Sequence, residues 1–369
     1  EPFCVSVSSR EARLCGGFKW EPKQEFLQGH IDIDELSFSL LQPWLPNSFN
    51  LDGALSVTAE YSQQNQARSY QAVVQLTDTR IALPEQDISL WLSAGELFRL
   101  TGNEQKLDAR VSLTTDAVDG SLTSAFAIER PFANDREIMG EAALNFQNLA
   151  IVSLIAPQLQ NVSGELRGNL SFTGPVSLPN IGGSIELMNA GAEVASAGVN
   201  LTDLDFALRS PTDTGEPFTL SGSVTSGQGS LALNGNYNLN THIADLNVTG
   251  SNFTAMQSRE ISLTVSPDLQ LRVGPNLMRL RGSLAIPQAL ITPPDFESVS
   301  LSSRDTIVVR GEETVWQNAS SNPYDIDIQV SLGENVQVQA YGFDGSLGGR
   351  VRIIEQPGQE TTAVGNIDV

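Results

Sequence analysis

The chain has 369 residues, 40% of them hydrophobic and only 17% charged, and its net charge at pH 7 is −22. That length holds two or three ordinary domains or one elongated repeat array, and a surface this acidic excludes nucleic acid, whose binding needs clustered Lys and Arg. The polar positions are filled by Ser, Thr, Asn, Gln and 31 Gly rather than by Glu, Lys and Arg, which suits strand faces and tight turns better than helix surfaces.

At the N-terminus, Glu1-Pro-Phe-Cys4 has neither a basic region nor an apolar stretch, so it is no signal peptide. Cys4 and Cys15 are the only cysteines. A close pair with no other thiol favours a structural disulfide in an oxidising compartment over two free thiols. Closing so short a loop stabilises by about 3 kcal/mol in the chain-entropy account. A zinc site would want more ligands, and His30 and His242 are far apart in sequence.

Two segments predict short helices ended by proline, Asp34–Leu45 and Phe146–Leu159. Each is followed by a Gly-x-Leu turn and alternating strands, about 114 residues apart, which predicts an array of repeats. The longest apolar run, Leu149–Ala156, stops at Pro157, well short of the ~18 residues a membrane span needs. Exported character without an export signal, and an end at Asn366-Ile-Asp-Val369 that reads as mid-strand, are expected of a piece of a longer protein.

From there, alternation with a period of two dominates. Its apolar members are Leu204, Phe206 and Leu208, then Leu231 and Leu233, then Ile261, Leu263 and Val265, then Leu271 and Val273. Leu280, Leu284 and Ile286 follow, and the series closes with Ile326, Ile328, Val330, Val336 and Val338. One face is apolar and the other wet, as in a sheet with one covered side. Asn234-Gly235, Gly227-Gln-Gly229 and Gly333-Glu-Asn335 read as turns between strands.

Catalytic chemistry is hard to find. Asp32/Asp34 and Asp325/Asp327 place paired carboxylates on one strand face, but calcium wants six or more oxygens and a turn to converge them; they read as solvated strand faces. Two histidines, and neither G-x-S-x-G nor H-E-x-x-H, leave no enzyme or cofactor site to expect. The sequons at Asn161, Asn247 and Asn252 are of the number chance gives in so Asn-, Ser- and Thr-rich a chain. What remains is apolar surface, which by sequence alone fits a packed core or an open groove equally.

Three stretches carry a resemblance. Gly250–Phe253 with Ile261–Leu269 and Leu280–Thr292, and then Asn322–Gly342 onward, are similar to the TamB (AsmA-like translocation and assembly module) family. Cys4…Cys15-Gly-Gly-Phe-Lys-Trp20 looks like that family's short cysteine pair, and Gly164–Phe206 like its repeated strands. The resemblance implies a periplasmic body anchored in the inner membrane upstream in the full-length protein of a Gram-negative cell. It implies an all-β, elongated U-shaped sheet, the β-taco, with an apolar interior groove and one or two short helices. Roughly 25–30 strands at about 4.8 Å would then extend on the order of 120–145 Å.

The expected organisation is a disulfide-bearing segment at 1–35, β repeats at 36–145 and 146–249, and a family-like segment at 250–369. The function implied is carriage of phospholipid between inner and outer membranes, with the alternating residues named above lining the groove for acyl chains. An alternative is a scaffold for outer-membrane β-barrel assembly with the Omp85-type partner TamA, reached through a region beyond residue 369. A third reading is an extracellular adhesive β-solenoid.

Overall fold

The computed structural model describes residues 3–7, 12–40, 42–44, 50–65, 67–83, 88–115, 120–149, 152, 156, 158–210, 217–292, 324–340 and 343–369. Among them are twenty-three strands and three short 3-10 turns, with no α-helix of seven residues or more. The chain divides into two compact units, Glu1–Ala192 with Asp205–Phe218, and Glu193–Leu204 with Thr219–Val369. The boundaries expected at 35, 145 and 249 fall inside strands.

The first unit begins with β1 (Phe3–Val7), β2 (Ala12–Glu21), β3 (Phe26–Ser37), β4 (Asn50–Asp52), β5 (Ala54–Gln64) and β6 (Ala67–Leu76). It continues with β7 (Thr79–Leu83), β8 (Ile88–Leu92), β9 (Gly95–Asn103), β10 (Lys106–Thr115), β11 (Gly120–Glu129) and β12 (Glu137–Phe146). The long strands β13 (Leu159–Pro175), β14 (Asn180–Val194) and β15 (Val199–Ser210) follow, the last two crossing between units. Pairing is antiparallel in the order β1-β2-β3-β5-β6-β9-β10-β11-β12-β13. A smaller ladder, β4-β7-β8, sits beyond the ends of β5, β6 and β9 and rejoins β10 at Thr115.

Those two ladders are one set of strands interrupted along a line. The break between β4 and β5 is Gly53, that between β6 and β7 is Thr77-Asp78, and that between β8 and β9 is Ser93-Ala94. The backbone groups freed there are recaptured locally, as buried polar groups must be. Ala54 N–H donates to Thr77 Oγ1 (2.8 Å), Thr79 Oγ1 to Thr77 O (2.9 Å) and Ala94 N–H to Asp78 Oδ1 (3.1 Å). Gly53 has φ +130°, and a Cβ there would lie 2.6 Å from Thr79 Oγ1.

The second unit holds β16 (Phe218–Asn238), β17 (Ile243–Gln257), β18 (Ile261–Val273), β19 (Met278–Ile291), β20 (Tyr324–Ala340), β21 (Phe343–Ser346), β22 (Gly348–Glu355) and β23 (Thr362–Asp368). They pair in sequence order and antiparallel, except that β19 and β20 run parallel and β20 pairs with both β21 and β22. At one level every neighbouring pair from β16 to β20 slips register. The slips lie at Gly227/Ser230, Thr249/Phe253, Thr264/Ser266 and Ile286/Gln288. Leu347, between β21 and β22, donates its N–H to Val336 O at that same level (2.8 Å). Bulges bend the strands that carry them and increase their twist, so this unit is creased across its strands.

The crease corrects three turn readings. Asn234-Gly235 lies inside β16, opposite Asn247 and Leu246, and the chain reverses instead at Leu239–His242. Gly227–Gly229 is a bulge in that same strand, with Gly227 at φ +64°, and Gly333-Glu334 is extra residue length in β20 opposite Pro287. The helix expected at Asp34–Leu45 is also corrected. Residues to Ser37 complete β3, and Phe38–Leu40 and Gln42–Trp44 form 3-10 turns. Of the helix expected at Phe146–Leu159, residues 150, 151, 153–155 and 157 lie outside the described residues, Phe146 ends β12 and Leu159 begins β13; Ala156 N–H bonds Val152 O (2.8 Å) between them.

Candidate functional site

Residues opposed across a ladder share a face, so the strand register shows how far the apolar alternation extends. In the second unit Leu233, Val248, Leu269, Gly282, Ile328, Ile353 and Ala363 form one row through seven strands. Pro267, Leu284, Val330 and Val351 form the next, and Leu246, Leu271, Leu280 and Ile326 another. Ile286 stands opposite Leu332, Leu231 opposite Gly250, and Val265 opposite Phe253. Ile261, Ile291 and Val338 align beyond the crease, as do Leu263, Ala289 and Val336. Leu204, Phe206 and Leu208 alternate on β15 and are half-buried.

Most of these side chains are half-buried, while Ile291 and Ala363 are exposed. Val273 is exposed, whereas Val336 and Phe253, at the crease, retain only 3% and 8% of their surface. Beside them Ser226 retains 1% and donates its hydroxyl to Thr254 O (2.7 Å). Leu246, Val248, Leu269, Val351 and Ile353 were absent from the sequence-derived set although the same alternation marks them.

The first unit has the same two-sidedness. Val57, Val74, Phe98 and Val111 form one row, and Leu107, Ile128 and Ile138 another. Over β1–β3 this face is bare: Phe3, Val5, Leu14, Phe18, Trp20 and Ile31 share it by register, with Phe18 71% and Trp20 66% exposed. Cys4 and Cys15 are opposed on the other face and joined by a disulfide.

The wet face is where the ions are. Asp325 accepts from Arg279 Nε (2.8 Å) and Arg281 (2.6 Å), and Asp327 is held by both Nε and Nη2 of Arg352 (2.7 Å each). The Arg279 hydrogen bond, then that of Arg281, holds the Asp325 carboxyl below the usual carboxylate range; Arg352 does the same for Asp327. The expectation of a simply solvated pair is thus amended: Asp325 keeps 14% of its side-chain surface and clamps the parallel β19–β20 junction. No cluster of three or more His, Cys, Asp or Glu among the described residues could hold a metal.

A hollow of about 690 Å³ opens on the wet face of the first unit, lined by Arg110, Ser112, Thr123, Ala125, Glu141 and Ser171 among others. Alternation alone could not have found it, since it arises where small side chains occupy adjacent wet-face positions. Ser171 Oγ is buried there without a hydrogen-bond partner.

Comparison with known proteins gives a consistent answer. A family model described as "TamB, N-terminal domain" matches residues 4–187, and one described as "TamB C-terminal domain" matches residues 218–369. The chain is 26% identical over 243 residues to the "Translocation and assembly module subunit TamB" of Haemophilus influenzae. That match covers 61% of this chain but only 18% of the relative, so the chain spans a small part of that protein's length. No solved structure matches. Among the described residues no helix is long and apolar enough to cross a membrane.

Proposed function

The chain belongs to the TamB family, and from that premise we propose that it forms part of a periplasmic bridge carrying phospholipid between inner and outer membranes. The observation that carries the reading is the apolar face of the second unit, whose row from Leu233 to Ala363 runs without a charged residue through seven strands. Acyl chains lie against it, at about 0.8 kcal/mol per buried CH₂, while head groups stay in water at its margin. Affinity is spread over many residues, no single one is indispensable, and the chain has no catalytic role. The bare face over β1–β3, with Trp20 and Phe18, supports contact with lipid at that end.

The reading is tested by charges placed in the face. Leu284→Asp and Val330→Asp, adjacent across β19–β20, abolish phospholipid co-purification and leave the strand signature in circular dichroism intact. Undiminished phospholipid in the doubly substituted chain removes the conduit.

A further inference from the structure

Five strands share a four-residue pattern: an apolar residue or glycine, any residue, a polar residue, then an apolar residue. In the first unit the pattern is Ile33-Asp-Glu-Leu36, Leu159-Gln-Asn-Val162 and Leu187-Met-Asn-Ala190; in the second it is Leu201-Thr-Asp-Leu204 and Gly250-Ser-Asn-Phe253. In every case the third residue is left-handed. Glu35 has φ +49°, Asn161 +51°, Asn189 +48°, Asp203 +49° and Asn252 +49°. That conformation is costly for L-residues and least so for Asn and Asp. The third residue is exposed in all five, whereas Ala190 and Phe253 directly after it are buried.

The geometry explains the spacing. Strict alternation would send Leu36 and Phe253 to the wet face, because each lies three positions beyond Ile33 or Gly250, the preceding member of the apolar face. A two-for-one bulge absorbs the odd residue: Asp34 and Glu35 stand against Ser56, and Ser251 and Asn252 against the Ser266–Pro267 stretch. The same neighbour also holds the strained residue. Glu35 N–H donates to Ser56 Oγ (3.1 Å), Asn252 N–H to Ser266 Oγ (2.9 Å) and Asn189 N–H to Asp205 Oδ1 (2.9 Å). Two strands thus use one device, a left-handed bulge capped by an oxygen on the next strand, and Asn189 repeats its left-handed backbone and its cap.

We propose that these capped bulges set the bend of each unit, with Ser56, Ser266 and Asp205 as its positioning residues. Resting on the acyl-chain reading, we further assign to them the width of the apolar trough, and so how much lipid each unit holds. The pattern keeps the apolar face continuous across the bend, so that acyl chains meet no polar step where the strands turn.

The test uses the whole chain with nitroxides at Asn247 and Arg259, exposed positions on either side of the β17 bulge, and reads their separation by pulsed electron resonance. Asn252→Val and Ser266→Ala lengthen the mean distance by about 5 Å, on the order of one and a half residues of extended strand. Asn252→Gly, which tolerates the left-handed conformation, leaves it unchanged and confirms that a folded variant can be read. If neither Asn252→Val nor Ser266→Ala moves the distance, the capped bulge does not set the bend. If the distance moves but phospholipid per chain stays at the wild-type value, the bend does not set the trough. A wild-type chain with no phospholipid refutes the conduit instead, and the distance measurement still decides the bend.

Discussion

Asp325 is held on two sides, by Arg279 and Arg281, and its neighbour Asp327 by Arg352. Both carboxyls titrate below their ordinary value in the folded chain. Their contribution is therefore complete above the unfolded carboxylate value of about 3.9, and it is lost as pH falls through the lower, folded one. Denaturant titrations from about pH 5 to about pH 3 should show a steeper loss of second-unit stability in the wild type than in an Asp325→Asn, Asp327→Asn variant. Parallel curves would mean that the clamp is only geometric. The Cys4–Cys15 bond acts at the same scale: replacing both with Ser should raise amide exchange in β1 and β2, consistent with about 3 kcal/mol lost from a short closed loop. Exchange unchanged in those strands would show that pairing along β2 suffices without the bond.

At the scale of elements, what was legible in the sequence and what was not have one cause. Alternation located Ile326–Val330 and Ile261–Val265 because a strand with one wet face writes its period directly into residue type. Gly227–Gly229 and Gly333-Glu334 misled because bulges and turns recruit the same residues for the same left-handed or crowded backbone, whereas Asn234-Gly235 is paired in regular register within β16 despite its turn-forming residues. Asp34–Leu45 resembled a helix for a related reason. The bulge at Glu35 shifts Ile33, Leu36, Phe38 and Leu40 off strict alternation into a spacing close to helical. The apolar face itself was legible; the bend that curves it was not, since only register reveals which odd residue is absorbed. Gly53 offers a test of the corresponding interruption in the first unit. Its φ of +130°, and the 2.6 Å that would separate an added Cβ from Thr79 Oγ1, predict that Gly53→Ala destabilises by about 2 kcal/mol or more. A neutral Gly53→Ala in chemical denaturation would mean that the β4–β5 break relaxes freely.

Across the whole molecule, each unit combines one mainly apolar face, with Glu355 and Arg68 at the ends of its rows, with one face carrying arginine–carboxylate pairs. A sealed sandwich would bury its apolar rows almost completely, whereas most of these side chains are only half-covered and those of β1–β3 are bare. Family membership and that open apolar face are what the proposed occupancy by acyl chains rests on. The most direct test is mass spectrometry of the purified chain under conditions that retain bound lipid. The account predicts phospholipid on the wild type and its loss in the Leu284→Asp, Val330→Asp chain with the fold retained; a well-folded wild type free of phospholipid would contradict it.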